Sequence, residues 1–266
     1  TCNYILTNMT YEGAAFSELL KEAQAKGCAE ADPTLDVGGI DAAHKLAILS
    51  SLAFGTKVDF DGITLEGIER VSIEDIRAAS DMGYKIKLLG VTQKTARGLE
   101  QRMQPCLVPQ SSPLGQLQGG TNMVVLEGDA VGQIVLRGPG AGEGPTASAV
   151  MADVCDLARG LKGPVFGMPA SSLTREKPAH STLPASYYLR MSLQDKPGAL
   201  AKIAAVLGEA GVSIDRMRQY GHDNTEAPVL IVTHKTTPAA IAEALDAMQG
   251  TGVLTGAPVA LRIEDV

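Results

Sequence analysis

Apolar residues in the first 162 positions follow first a helical and then a strand spacing. The helical spacing predicts helices over residues 11–25, 40–54 and 72–83. Alternation then predicts strands over 84–92, 99–108, 122–127 and 132–137, the last two as a hairpin, before a helix over 146–161. This pattern indicates an α+β domain, a mixed or antiparallel sheet with helices on one face.

The pattern changes after residue 162. Residues 163–185 are rich in Gly, Pro and Ser and are predicted to form a linker. From residue 186 the apolar pattern reads strand, helix, strand, strand, helix, strand, which is the βαββαβ order of a ferredoxin-like module. We therefore expect a domain over 1–162, a linker over 163–185 and a second domain over 186–266.

The predicted helix over 40–54 is apolar around most of its circumference, which is typical of a buried helix. It nevertheless carries Asp41 and Lys45, four residues apart and thus on one face. Three acids, Glu30, Asp32 and Asp36, precede it in a loop. A buried, paired lysine beside carboxylates indicates a functional site. The alternative is an ordinary surface ion pair.

Composition narrows the classes of function. The net charge of −7 and an aromatic content of 4% argue against nucleic-acid and anionic-membrane partners. No apolar run is long enough to cross a membrane. The four cysteines and four histidines are scattered, so we predict no metal site and free thiols in a reducing cytoplasm. The start lacks Met and a basic segment, so we expect no signal peptide and a chain that begins within a longer protein.

A glycine-rich segment links the predicted hairpin to the following helix. Gly138, Gly140 and Gly142 would expose backbone N–H groups next to a helix N-terminus, where an anion or a carbonyl group can bind. The segment matches neither a P-loop nor a strict dinucleotide fingerprint. A turn that only reverses the chain remains the alternative.

The C-terminal module resembles an ACT domain, a small regulatory fold that senses amino acids. The resemblance rests on the segment from Asp195 to Ala204 (DKPGALAKIA) and on Val212-Ser-Ile after Gly211. It implies an effector site at Asp195, Gly198 and Ala199, with threonine as the expected effector. A purely structural dimerisation module is the alternative.

Residues 1–162 resemble homoserine dehydrogenase beyond its nucleotide-binding domain. The matching stretches are TCNYILTNM at 1–9, residues 23–36 with GIDAAHKL at 39–46, ITLEGI at 63–68, and GPGAG…PTASAV at 138–150. The resemblance implies NADP- or NAD-dependent interconversion of L-homoserine and L-aspartate-4-semialdehyde in threonine, methionine and isoleucine biosynthesis. The family's Rossmann domain is missing here, so we expect the chain alone to be inactive. Cys28 replaces a common aromatic residue.

The same resemblance assigns roles to single residues. Lys45 exchanges the hydroxyl proton, and Asp41 holds Lys45 and binds substrate. Glu30 accepts a hydrogen bond from the substrate ammonium, and Asp36 orders the loop. The glycines at 138, 140 and 142 approach the nicotinamide. The helix after them would present an unpartnered apolar face, made of Ala149, Val150, Val154, Leu157 and Ala158.

Two residues near the predicted site, Asp32 in the acidic loop and His44 on the following helix, are left out of it. Asp32 precedes a proline and is expected to be a turn residue, whereas His44 points about 100° away from Lys45 and is expected to pack or face solvent. Beyond the enzyme, which we expect to be a homodimer or a tetramer, two hypotheses remain. One is a stand-alone amino-acid-sensing protein, and the other is a structural dimerisation fragment.

Overall fold

A computed structural model describes residues 1–27, 29–219 and 226–265. The helices are α1 (Cys2–Glu12), α2 (Phe16–Ala25), α3 (Thr34–Val37), α4 (Ile40–Phe54), α5 (Ile73–Asp81), α6 (Glu143–Ala158), α7 (Ala199–Glu209) and α8 (Pro238–Gln249). The strands are β1 (Thr64–Leu65), β2 (Tyr84–Thr95), β3 (Gly98–Pro109), β4 (Thr121–Gly128), β5 (Gly132–Pro139), β6 (Pro178–Ala179), β7 (Ser186–Gln194), β8 (Ile214–Gln219), β9 (Glu226–Thr233) and β10 (Val259–Ile263).

Eight of these strands form one mixed sheet, which confirms the predicted α+β class. Strand β3 is its centre. One edge of β3 pairs with β2 along its whole length, and the other edge pairs in turn with β6, β1 and β10, all parallel. The hairpin β4–β5 forms a separate two-stranded sheet. The predicted hairpin is thus observed, but it is not part of the larger sheet, and the strand pattern in the sequence does not indicate which strands pair.

The C-terminal module has the predicted ferredoxin-like topology. Its strands lie in the order β10-β7-β9-β8 and are antiparallel to their neighbours. Helices α7 and α8 pack on one face, over a core that includes Leu189, Ile203 and Met248. The strand predicted over 212–220 is observed as β8, and Tyr220 lies outside the described residues.

The other face of the same module packs against the N-terminal helices. A single core joins Ile5, Leu6 and Ile76 from those helices to Tyr188 and Leu230 from the module's strands. Because alternate strand residues point to opposite faces, one set of side chains contacts α7 and α8 and the next set contacts the N-terminal helices. The predicted linker, 163–185, has no buried residue before Ala185, which fits its expected lack of a core.

A buried carboxylate ties the two parts together. Asp75 of α5 is fully buried and completes a capping box with Ser72 at the predicted helix start. Its carboxylate also accepts hydrogen bonds from the Tyr188 hydroxyl (3.1 Å) and from Arg190, whose Nη2 lies 3.1 Å from Oδ2. Burial disfavours the charge on Arg190, but the hydrogen bond to Asp75 raises its pKa above the ordinary value.

The first helices differ from the prediction. The sequence pattern predicts a short helix or strand over residues 1–7 and a helix from residue 11 that is capped by Thr10. Instead α1 continues through Thr10, whose hydroxyl donates to the Leu6 carbonyl at 2.7 Å. Gly13, at φ 67°, ends α1, and α2 begins at Phe16. The reason is that a left-handed glycine ends a helix more effectively than a threonine interrupts one.

Strand β2 buries a lysine without a carboxylate partner among the described residues. Lys87 donates a hydrogen bond from Nζ to the Leu117 carbonyl at 2.8 Å. Burial, and then the nearby charge of Lys85, lowers the pKa of Lys87 to about 8. An unfolded chain would bind this proton up to its ordinary pKa, about 10.4. The free energy of unfolding should therefore rise as pH increases from about 8 to about 10.4.

Replacing Lys87 by Met should raise the free energy of unfolding at pH 7 by roughly 1–3 kcal/mol and remove this rise. Urea unfolding at pH 7 and pH 10 measures both effects. Lys57→Met, at an exposed lysine, serves as the control and should retain the rise. A Lys87→Met protein whose stability still rises as in the unmutated chain would contradict the assignment.

Helix α6 packs against no core. None of its residues is buried, and its apolar side chains Val150, Val154 and Leu157 are each about half exposed or more. The apolar face of α6 is therefore exposed in this chain, as predicted. The helix begins at Glu143, three residues earlier than expected, because Pro145 is tolerated in a first helical turn.

Candidate active site

Hydrogen bonds between α2 and backbone groups of the acidic loop hold this loop, which lies between α2 and α4, in place. Ala29 is buried and donates its N–H to the Ala23 carbonyl, and Gln24 donates to the carbonyl groups of Glu30 and Ala31 at 3.0 and 3.2 Å. The Glu30 side chain is exposed and has no partner among the described residues. The loop thus fixes the backbone at Glu30 and leaves its carboxylate available.

Asp36 connects this loop to the start of α1. Its Oδ2 accepts the backbone N–H of Glu30 at 3.2 Å, and its Oδ1 accepts the Thr1 hydroxyl at 3.1 Å. The Cys2 thiol donates to the Asp36 carbonyl at 3.1 Å. These contacts are those of a residue that orders the loop.

Asp32 turns the chain, as predicted. Its Oδ1 accepts the backbone N–H of Thr34 at 3.1 Å and the Thr34 hydroxyl at 2.6 Å. These hydrogen bonds, the side-chain one first, lower the pKa of Asp32.

Asp41 and Lys45 form the expected ion pair on α4. Their side chains are 60% and 57% exposed, however, and the prediction of a buried pair is wrong. The helix packs Ala43, Leu46 and Ala47 against the sheet, and its opposite side faces outward. Local pattern does not show which face of an apolar helix lacks a neighbour, and here Ile48, Leu49 and Leu52 are 40–48% exposed.

Two details set the position of this helix. Gly39 precedes it with φ 75°, and a Cβ there would lie 3.4 Å from both Leu88 and Met103, so a side chain would be strained and crowded. His44 is exposed, and its ring lies 4.4 Å from that of Phe60. His44 therefore packs against Phe60 at the surface, as predicted.

Several charged groups act on the thiol of Cys2, which lies in the first turn of α1. Burial raises its pKa to about 11, the charge of the Thr1 amino group opposes this, and Asp36, Glu69 and Asp41 add to the rise. The carboxylates of Asp36, Glu69 and Asp41 therefore lie within electrostatic reach of the first turn of α1. The sequence interpretation missed Glu69, which lies one residue beyond the ITLEGI stretch. Its Oε1 would be 3.7 Å from a Cβ at Gly38, beside the acidic loop.

The glycine-rich segment reaches the same end of α1. A Cβ at Gly140 would overlap the side-chain amide of Asn122, whose Oδ1 accepts a hydrogen bond from Asn3 at 3.1 Å. Gly142 precedes α6 with φ 124°, and Gly138 has no atom near its missing side chain. The segment is therefore a narrow backbone surface with open space beside it and a helix N-terminus at its end, which suits close approach of a nucleotide.

The three predicted effector residues share a separate cavity. Asp195, Gly198 and Ala199 line a space of about 120 Å³ between the end of β7 and the start of α7, closed by Gln219 and Val229 of β8 and β9. Gly198, at φ 86°, precedes α7. The backbone there adopts a conformation that favours glycine.

Other site classes receive no support from the described residues. No group of three or more His, Cys, Asp or Glu side chains in that part of the chain is placed to hold a metal ion. No helix among residues 1–27, 29–219 and 226–265 combines the length and apolar character needed to span a bilayer. Cys28, which replaces a common aromatic residue, lies outside the described residues.

Sequence profiles identify two known families along the chain. The profile described as "Homoserine dehydrogenase" matches residues 1–155, and the profile described as "ACT domain" matches residues 187–250. The homoserine dehydrogenase of Neisseria gonorrhoeae is 42% identical over 274 residues, which cover 100% of this chain and 63% of that protein. The homoserine dehydrogenase of Pseudomonas aeruginosa is 39% identical with the same coverage.

A solved structure shows the same fold. The crystal structure of a homoserine dehydrogenase from Thiobacillus denitrificans superposes with a TM-score of 0.91 at 38% identity, over 99% of this chain and 62% of that chain. This chain therefore spans less than two thirds of the length of these relatives. The matched profiles, the identity and the fold agree, and the chain belongs to the homoserine dehydrogenase family and carries an ACT domain at its C-terminal end.

Proposed function

We propose that this chain supplies the substrate-binding, dimerisation and regulatory parts of an NADP- or NAD-dependent homoserine dehydrogenase. Residues 1–162 would bind L-homoserine or L-aspartate-4-semialdehyde. Residues 163–185 would link this domain to residues 186–266, which would regulate the activity. The observation that carries the proposal is that Asp36 joins the backbone of Glu30 to Thr1 before α1, while the exposed Asp41–Lys45 pair stands in the first turns of α4.

The arrangement suits a zwitterionic substrate with a reacting oxygen. The free carboxylate of Glu30 can accept hydrogen bonds from the substrate ammonium, while Asp36 fixes the Glu30 backbone. Lys45, held by Asp41, can give a proton to the aldehyde oxygen or, when neutral, take one from the C4 hydroxyl. When bound, the nicotinamide exchanges a hydride with C4. Gly138, Gly140 and Gly142 would let it approach the backbone.

Substrate binding can be measured on the chain itself. Titration with L-homoserine, followed by calorimetry or NMR, should show saturable binding that Glu30→Gln weakens about 10–100-fold, because one charge-assisted hydrogen bond is lost. Glu12→Gln, at an exposed glutamate on α1, is the matched control and should bind normally. Equal binding by the Glu30→Gln and unmutated chains would contradict the assigned role.

Regulation is assigned to the cavity at the start of α7. An amino-acid effector, expected to be threonine, would bind where Asp195 can accept from its ammonium and Gly198 leaves the backbone open. Asp195→Ala should weaken L-threonine binding in calorimetry about 10–100-fold. Asp246→Ala, at an exposed site on α8, should leave it unchanged. Unmutated chain that gives no heat with threonine would count against this effector.

A further inference from the structure

A second, larger cavity lies where the two parts of the chain meet. It measures about 460 Å³ and opens on the face of the sheet that carries α8. Strands β3 and β10 pair with each other only at Cys106–Arg262 and Leu107–Ile263. The cavity lies beside the stretches of these two strands that are not paired with each other. It has no residue in common with the acidic loop or with the effector cavity.

Buried charged groups line one side of this cavity. Glu100, Arg102 and Arg262 all line it, and each is at least 93% buried. Arg102 contacts Glu100, and both arginines reach Glu264 Oε1 at 2.7 Å. Burying charged side chains is costly unless they are paired and hydrogen-bonded. The arginines are thus held in place beside an open space.

The hydrogen bonding of this lining is incomplete. Six buried side-chain atoms among the described residues have no hydrogen-bond partner, and three of them belong to residues of this one cavity. They are Gln101 Oε1, Arg102 Nε and Ser181 Oγ. An unpaired buried donor or acceptor costs about 1–3 kcal/mol. The Gln101 side chain lies on the opposite face of β3 from Glu100 and Arg102, where its amide donates to the Asp59 carbonyl at 3.1 Å. Arg102 Nε and Ser181 Oγ remain in the lining, where a bound molecule or water can complete their hydrogen bonds.

The side of the cavity opposite the charged groups is aliphatic. Helix α8 contributes Ile241, Ala242 and Leu245, and β10 contributes Ala260. At the rim, Glu66 presents an exposed carboxylate. A ligand here therefore meets two unpaired donors, Arg102 Nε and Ser181 Oγ, a rim carboxylate and an apolar wall, all within one small volume.

We propose that this cavity between β3, β10 and α8, called the seam cavity, binds a small aliphatic molecule that carries both a carboxylate and an amino group. The carboxylate would accept hydrogen bonds from Arg102 Nε and from the Ser181 hydroxyl, the two lining donors without a partner among the described residues. The amino group would face the Glu66 carboxylate at the rim. The aliphatic chain would lie against α8. This site does not depend on the proposed dehydrogenase activity, since none of its residues has a role there.

Three probes of similar chain length separate the contributions. Norleucine carries both charged groups, hexanoate lacks the amino group, and pentylamine lacks the carboxylate. In calorimetry with the 266-residue chain, norleucine should bind at least about tenfold more tightly than either of the others. Equal affinity for hexanoate or pentylamine would overturn the ligand class, and no binding of norleucine would overturn the site.

Two variants locate the binding without removing a buried charge. Ala242→Leu fills the cavity from an exposed position on α8 and should weaken norleucine binding at least about tenfold. Ala247→Leu adds the same side chain outside the cavity and should bind normally. Glu66→Gln should weaken norleucine several-fold and leave hexanoate unchanged. Norleucine that binds Ala242→Leu as tightly as Ala247→Leu would show that it occupies another site and would overturn the proposal.

Discussion

Lys45→Ala should lower kcat for homoserine oxidation by about 10²–10⁴-fold, which is the range for removing a positioned general acid or base. Ala leaves the helix intact, because Lys45 lies on the outer side of α4 and its only contact among the described residues is Asp41. KM for homoserine should change much less than kcat, since Glu30 rather than Lys45 is assigned to the substrate ammonium.

The measurement uses a chimera in which this chain replaces the matched segment of the Neisseria gonorrhoeae relative, which is 42% identical. Lys21→Ala, at an exposed lysine of α2, is the control and should retain full activity. Lys45→Arg keeps the positive charge but cannot readily give up a proton, and it should be nearly as slow as Lys45→Ala. A Lys45→Ala chimera with unchanged kcat would remove Lys45 from the chemistry.

Asp75→Ala should cause the largest loss of stability of any substitution considered. It removes the capping box of α5 and leaves Tyr188 and Arg190 without their shared acceptor at the junction of the two parts. Breaking a buried pair costs about 3–5 kcal/mol, and the partial exposure of Arg190 reduces this to roughly 2–3 kcal/mol. At about 2–4 °C per kcal/mol, Tm should fall by roughly 5–10 °C.

The control for this substitution lies on the same helix. Asp81 pairs with Arg218 at 3.3 Å, and both side chains are about half exposed. Asp81→Ala should therefore cost about 0–1 kcal/mol in urea unfolding. If the two variants lost the same stability, Asp75 would be an ordinary helix residue rather than the link between the two parts.

Local signals in the sequence predicted most of the elements. The bounds of α4 and β10 agree with the pattern, and the capping residue Ser72 marks the start of α5, because these features depend on neighbours within one turn or one strand. The ferredoxin-like order followed for the same reason. The Asp41–Lys45 ion pair followed from its spacing on one helix in the same way, and the roles of the candidate site residues stay predictions.

Contacts between distant parts of the chain were not predictable in this way. The pairing of β3 with β10 and the core shared by α5 and β7 join residues more than a hundred positions apart, and periodicity carries no information on such partners. The seam cavity and the contribution of Glu69 follow from that packing. For α4, composition overstated burial, since its outer apolar side chains are only partly covered by the described residues.

The central claim is that residues 30–45 hold homoserine for oxidation, and the most direct test is the rate at which the unmutated chimera forms NADPH or NADH from L-homoserine. The account predicts turnover that requires L-homoserine and is strongly reduced by Glu30→Gln and by Lys45→Ala. A folded chimera that binds the nucleotide but shows no homoserine-dependent reduction, or one that is unaffected by both substitutions, would contradict it.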